Sequence, residues 1–271
     1  MSEWNAMTFE GKDTILRVVR REAEQMFAMI EDPATWEAPT ACEGWTTRDV
    51  VGHIVDTTEG YFAAFDAARG EGEVPPAHGL PVMAELANKG ATAFRSLPQQ
   101  EMVQRLHDDF DKMQGILEPL QADDWSGLMV THPYMGPAPA FFFAAGQLMD
   151  YGVHSWDLRE GRGQVHALNG DVADLLVPFM FALWQGTCRA DTVTEPFDIG
   201  IRVSGRNGGD FRFSVSDQGL TYAPGDIDAL PSLVEFDAAS LVLRTYNRMN
   251  SGTVRGDQEL AERFLNLFFA I

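Results

Sequence analysis

Along roughly two thirds of the chain the apolar residues recur at helical spacing, and along the rest they alternate. Between residues 13 and 30, Ile15, Leu16, Val19, Met26, Phe27 and Ile30 share one side, with Arg17, Arg20, Arg21 and Glu24 between them. This pattern predicts an amphipathic helix that stops at Asp32-Pro33. Val50, Val51, Ile54, Val55, Phe62 and Phe65 mark a second helix. Thr46 followed by Asp49 gives it a capping-box-like start, with Asp where Glu or Gln is usual. Residues 70–79, with paired prolines, predict a loop, and 80–97 a short helix. Residues 98–120 predict another helix, in which Met102, Leu106, Phe110, Met113 and Leu117 keep step. A Gly/Pro-rich crossover loop is expected over 123–138, followed by a helix that runs without a breaker from Pro139 to Gly161. Phe141, Phe142, Ala145, Leu148, Met149, Gly152 and Trp156 make its apolar surface too broad for a solvent-bathed helix, which places it inside a bundle.

A further helix over 169–186 passes the chain to a second unit. From about Glu195, FDIGIRVSG and DFRFSVSD alternate apolar with polar residues around Gly208-Gly209, the pattern of a β-hairpin. SLVEF predicts another strand, Asp237 opens a helix, SGTVRGD is a tight connection or short strand, and 257–269 form the last helix. The expected architecture is multi-domain, α and α+β: a helical bundle over 1–165, then a linking helix and a small α+β unit over 166–271.

Chemistry concentrates at three positions. Asp150 and His154 stand four apart, a spacing that stacks two side chains on one helical face with Cβ atoms about 5–6 Å apart. Such a pair is often no more than a local hydrogen bond, so a third donor is needed before a metal enters the argument. His53, on or beside the buried side of the second helix, completes a three-donor set from two helices, the number an open metal site requires. Asp56 and Asp157 are candidates to orient a ligand histidine or act as a base, and Asp157 fits a supporting or helix-end role better than catalysis. His132, in the expected crossover loop, is a second-tier candidate for the site mouth, although loop histidines are usually solvated. Trp45 and Trp156 are expected to pack near the ligands, and Cys42, with nothing basic beside it in sequence, reads as a buried structural cysteine.

Composition narrows the setting. The 271 residues are 45% hydrophobic and 22% charged, an ordinary protein with a substantial core. Twenty basic against forty acidic side chains give a net charge of −20, which repels nucleic acid and anionic membranes at long range but leaves room for a local arginine cluster facing an anionic substrate. MSEWNAMTFEGKD has no basic region followed by an apolar core, and no apolar stretch is long enough to span a bilayer. Two cysteines without a CxxC fit a reducing cytoplasm, the expected location.

Two motifs then carry a likeness. CEGWTTRDVVGHIVD resembles the N-terminal signature of the mycothiol-dependent maleylpyruvate isomerase family, within the DinB-like metal-binding bundles, through Cys42, Gly44, Trp45, Thr46, Asp49 and His53. DYGVHSWDLREGRG is similar to the family's second signature, an acid, three residues, His, then Trp-Asp-Leu, with Asp150 where Glu is usual. VEFDAASLVLRTYNRMNSGTVRGDQELAERFLNLF is similar to the sterol-carrier-like domain that often follows the bundle. The resemblance implies a DinB-like four-helix bundle in which His53, Asp150 and His154 hold a divalent metal, with Zn²⁺ the expected ion. It also implies mycothiol or another low-molecular-weight thiol as cofactor and an actinobacterial cytoplasm as the setting.

A thiolate activated at such a site would attack a small electrophilic substrate and then leave, as in an isomerase, or stay attached, as in an S-transferase. For an anionic substrate, Arg248 and Arg255, flanking the SGTV turn, and Arg244 as a cofactor contact are the candidate cations, against the alternative of surface ion pairs. Two other readings stand beside this one. One is an apolar-ligand-binding protein with a structural or absent metal, supported by the phenylalanines of the last third, and the other is a metal-dependent hydrolase on the same bundle. Small-molecule substrate and thiol are the expected partners, and the sequence leaves the oligomeric state open.

Overall fold

The computed structural model describes residues 3–164 and 166–271, which divide into two compact units, Met1–Val172 and Ala173–Ile271. In the first unit, α1 (Lys12–Ile30), α2 (Thr47–Ala68), α4 (Gln99–Leu117) and the composite helix α6–α7 (Phe141–Leu148 and His154–Gly161) pack as a four-helix bundle, and α3 (Met83–Ala93) lies on α2. Each bundle helix turns its apolar stripe inward: Val19, Met26 and Ile30 of α1, Val51, Ile54 and Phe65 of α2, and Met102, Leu106 and Met113 of α4 are fully buried. Lys12 ties the start of α1 to the end of α4. Its ammonium donates to the carbonyls of Glu118 at 2.6 Å and Leu120 at 2.8 Å, where the helix C-terminus favours a cation.

The start of α2 is built from local chemistry. Thr46 and Asp49 close a capping box, the Asp49 carboxylate accepting from the Thr46 backbone N–H at 2.9 Å. Burial alone would raise the Asp49 pKa, but hydrogen bonds from Arg95 and Thr46 outweigh it and hold the carboxyl below its usual range. The shorter Asp therefore caps as effectively as the more usual Glu.

Two stretches depart from the sequence expectation. Residues 123–138 are not a crossover loop. They begin inside α5 (Ala122–Gly127), whose buried Trp125 donates to the Ala6 carbonyl at 3.0 Å, and continue into a hairpin of β1 (Met129–His132) and β2 (Gly136–Pro139). Pro137 and Pro139 are tolerated because both strands of a two-stranded ribbon are edges, and Gly136 turns at φ 75°. The long helix runs unbroken from Phe141 to Gly161 but is not α-helical throughout. Met149–Val153 form a π turn between α6 and α7. Gly152 lies within this turn because a Cβ there would approach Val172 Cγ1 to 2.6 Å, while Tyr151 is fully buried between the rings of Phe27 and Phe110.

In the second unit, β3 (Phe197–Ser204), β4 (Gly209–Ser216), β5 (Gly219–Pro224), β6 (Ser232–Asp237) and β7 (Thr253–Gly256) form a sheet of order β5-β4-β3-β6-β7, antiparallel except for the β3–β6 pair. The strand β5 is not legible in the sequence because its short run, GLTYAP, ends in proline and keeps one buried position, Leu220. Three helices accompany the sheet: α8 (Gly170–Thr187), α9 (Ala238–Thr245, capped by Asp237) and α10 (Gln258–Leu265, capped by Asp257). Phe181 and Trp184 of α8, Phe213 of β4 and Phe264 of α10 interlock edge to face in a core of ordinary aromatic packing.

Candidate metal centre

The fold of the first unit brings His53, Asp150 and His154 together, one donor atom from each lying within 4.8 Å of the others. His53 comes from the second turn of α2, Asp150 from the π turn, and His154 is the first residue of α7. A π turn widens the helix by one residue, and such insertions concentrate at functional sites because they re-aim the side chains they carry.

Asp150 and His154 do not bond to each other. His154 Nδ1 instead lies 2.8 Å from Oδ2 of the fully buried Asp157, one turn onward. Burial pushes the His154 pKa down despite the pull of Asp157, so the ring is neutral. Its one proton then sits on Nδ1, donated to Asp157, and the Nε2 lone pair is left for the cluster. His53 Nε2 is 3.6 Å from Asp150 Oδ1, and the two imidazole rings are 5.1 Å apart. Trp45 lies against both rings, at 5.2 Å from His53 and 6.2 Å from His154, and donates its indole N–H to Asn88 of α3. Trp156 is buried too, but its ring partner is His166.

Cys42 is a neighbour that sequence distance concealed. The segment before α2 crosses α7 at Gly161, where a Cβ would come within 2.3 Å of the Pro39 carbonyl oxygen. Ala41 N–H bonds to the Asp157 carbonyl there, and the Cys42 thiol donates to Asp157 Oδ2 at 3.1 Å, with Sγ 3.7 Å from His154 Nδ1. Its partners lie 112 and 115 residues further along the chain, so no local motif could place it beside the site. Cys42, His154 and Asp157 form a second group of three donors, but two of these are already joined to each other through Nδ1.

The donor chemistry fits a metal. Asp150 Oδ2 and His53 Nδ1 are buried with no hydrogen-bond partner, and among the described residues His53 is the only ion-pair contact of Asp150. A buried carboxylate oxygen left unpaired costs about 1–3 kcal/mol or more, a cost that a cation held by two neutral imidazoles and this carboxylate would remove.

The remaining candidates belong to neither donor group. Asp56 sits over Gly90 of α3, where a Cβ would approach its Oδ2 to 2.1 Å, and belongs to neither donor group. Arg244, Arg248 and Arg255 are in the second unit. Arg255 pairs with Glu235 at 2.6 Å, Arg244 donates to Asn250 and the Leu265 carbonyl, and Arg248 donates to the Tyr246 carbonyl at 2.8 Å. His132, at the end of β1, is half-buried and lies in a strand, not a loop. It packs against Tyr61 and Phe143, and burial lowers its pKa to about 4.

The family model described as the mycothiol maleylpyruvate isomerase N-terminal domain matches residues 18–159, a span that contains every donor of the cluster. Among solved structures, the crystal structure of the mycothiol-dependent maleylpyruvate isomerase aligns over 92% of this chain and 96% of its own, with a TM-score of 0.60 and 16% identity. A mutant of that enzyme gives the same values. A complex of the colibactin self-resistance protein ClbS with a dsDNA aligns over 57% of this chain and 97% of its own, at 13% identity and a TM-score of 0.47. No curated protein matches the chain.

Proposed function

Because the chain belongs to the mycothiol maleylpyruvate isomerase N-terminal domain family, a membership that supports an isomerase- or transferase-like enzyme, we propose that it is a metal-dependent, thiol-using enzyme of the isomerase or S-transferase type. The observation that carries this reading is the convergence of His53, Asp150 and His154, with an unsatisfied carboxylate oxygen among them. His53, Asp150 and His154 would hold the ion, with Zn²⁺ favoured by the two-imidazole, one-carboxylate set. Such an ion, when bound, lowers the pKa of a thiol so that a thiolate is available at neutral pH. Mycothiol or another small thiol is the co-substrate of this reading, and a small electrophile its substrate.

The chain's own residues do the rest. Asp157 holds the His154 ring in the tautomer that directs Nε2 inward, and the Cys42 thiol donates a second hydrogen bond to the same carboxylate oxygen. Trp45 covers the two imidazoles and limits access of water from that side. Arg248, Arg255 and Arg244 remain proposals as contacts for an anionic substrate or thiol, and for Arg255 that role requires exchange of its Glu235 partner.

The test is metal content of the purified chain followed by cobalt substitution. About one ion per chain and an intense sulfur-to-cobalt charge-transfer band on adding mycothiol are expected. A chain that binds no divalent metal, or whose cobalt spectrum ignores thiols, refutes the reading.

A further inference from the structure

The turn of the β1–β2 hairpin fixes a hydrogen-bond donor that is not among the metal donors. His132 Nδ1 accepts the backbone N–H of Tyr134 at 3.2 Å and of Met135 at 3.3 Å. Backbone amides can only donate, so the ring proton must sit on Nε2, 3.4 Å from the Tyr61 hydroxyl oxygen. The ring is clamped by Phe143 and Tyr61, each at 5.8 Å, and by Tyr134 at 5.9 Å. Burial keeps it neutral even though the Asp150 carboxylate pulls the other way. Tyr61 lies two turns along α2 from His53, and its hydroxyl rests over Gly146, four residues before Asp150, where a Cβ would approach it to 3.1 Å. The hairpin strands thus pack on the same helices, α2 and α6, that lead to the metal donors, and burial, with the Asp56 and Asp150 carboxylates, raises the Tyr134 pKa.

We propose that His132 is a catalytic hydrogen-bond donor, its Nε2–H forming an oxyanion subsite for the carbonyl oxygen of an α,β-unsaturated carbonyl substrate. This rests on the thiol-addition reading above. When the thiolate sulfur bonds to the β-carbon, the π electrons of the C=C bond move to the Cα–carbonyl carbon bond. The carbonyl π pair moves onto oxygen, giving an enolate. His132 donates a hydrogen bond to that oxygen without giving up its proton. The bond between Cα and Cβ is now single and rotates. Return of the electron pair then expels the thiolate and restores a C=C bond of the other geometry, with no net change in protons or electrons. A neutral imidazole suits this task better than an imidazolium, which would lose its proton to the enolate and stall the return.

The experiment uses the zinc-loaded full chain with mycothiol and maleylpyruvate, comparing wild type, His132→Phe and His132→Gln. His132→Phe is expected to lower kcat by ~100-fold with little change in KM, as for loss of one oxyanion donor. Metal content and the cobalt–thiol band stay at wild-type levels, and His132→Gln, which keeps an N–H donor, restores kcat to within about tenfold of wild type. A His132→Phe variant that keeps its kcat overturns the role, as does one that loses the metal or the thiol band along with activity. Nitrogen-15 spectra of the metal-free chain at pH 6 must also show the His132 ring neutral with its proton on Nε2, and an Nδ1–H tautomer overturns the role whatever the turnover. A wild type that binds metal and thiol but turns over no maleylpyruvate refutes the isomerase form of the function itself, a result distinct from wild-type turnover that survives His132→Phe.

Discussion

The sheet unit and the helical unit both pair charges at the surface, but the helical unit also buries a carboxylate that the chain leaves unsatisfied. In the sheet unit, Arg202 meets Asp210 at 2.7 Å and Asp228 at 3.0 Å, and Arg255 meets Glu235 at 2.6 Å, all at or near the surface. Each of these charges has its complement from the chain itself. In the helical unit, Asp150 is buried with one oxygen unpartnered, and burial pushes the pKa of the neighbouring His154 ring down. Neutralised surface pairs contribute little and ask for nothing further, whereas a desolvated carboxylate without a cation is a standing cost. The contrast teaches that a ligand site is marked by donors the fold declines to satisfy, more than by the number of charged residues.

Breaking the donor set has the largest expected effect. His53→Ala or His154→Ala should reduce bound metal from about one ion per chain to a small fraction, measured by elemental analysis, because two protein ligands rarely retain zinc. Asp157→Asn comes next. It leaves the ligands in place but weakens the acceptor that fixes the His154 tautomer, and a 10- to 100-fold loss of metal affinity is expected in chelator competition.

Smaller effects probe the satisfied charges. Asp49→Ala removes the α2 cap and should cost about 1–2 kcal/mol in urea unfolding without abolishing metal binding. The folded-state Asp49 pKa lies below its ordinary value, so its contribution is complete above about pH 4. It fades as pH falls through the lowered folded value, and the difference between wild type and Asp49→Asn should shrink over that interval. Arg255→Ala, at an exposed pair, should change stability by about 0–1 kcal/mol and leave metal content untouched. If Arg255→Ala shifted metal affinity as strongly as Asp157→Asn, the contrast between the two units would collapse.

The three donors were legible because each stands in a helical pattern that fixes its face: His53 among Val50, Val51 and Ile54, and the Asp150–His154 pair in an apolar run. The bundle followed from period 3.6 and the sheet from period 2, both consequences of local backbone geometry. The hairpin of Met129–Pro139 escaped this reading because its strands have four residues each and two prolines, too few positions for alternation to show. From the sequence alone His132 therefore reads as a loop side chain.

What the sequence by itself determined was the kind of the long helices and of the alternating strands and which donors those helices present, since propensity, capping and apolar period act between residues a few positions apart. The tertiary structure alone decided that Cys42 would lie against Asp157, that a π turn would carry Asp150, and that His132 would be set against Tyr61 and Phe143. These follow from close packing at Gly152 and Gly161 and from hydrogen bonds between segments far apart in the chain, which only form once the bundle has closed.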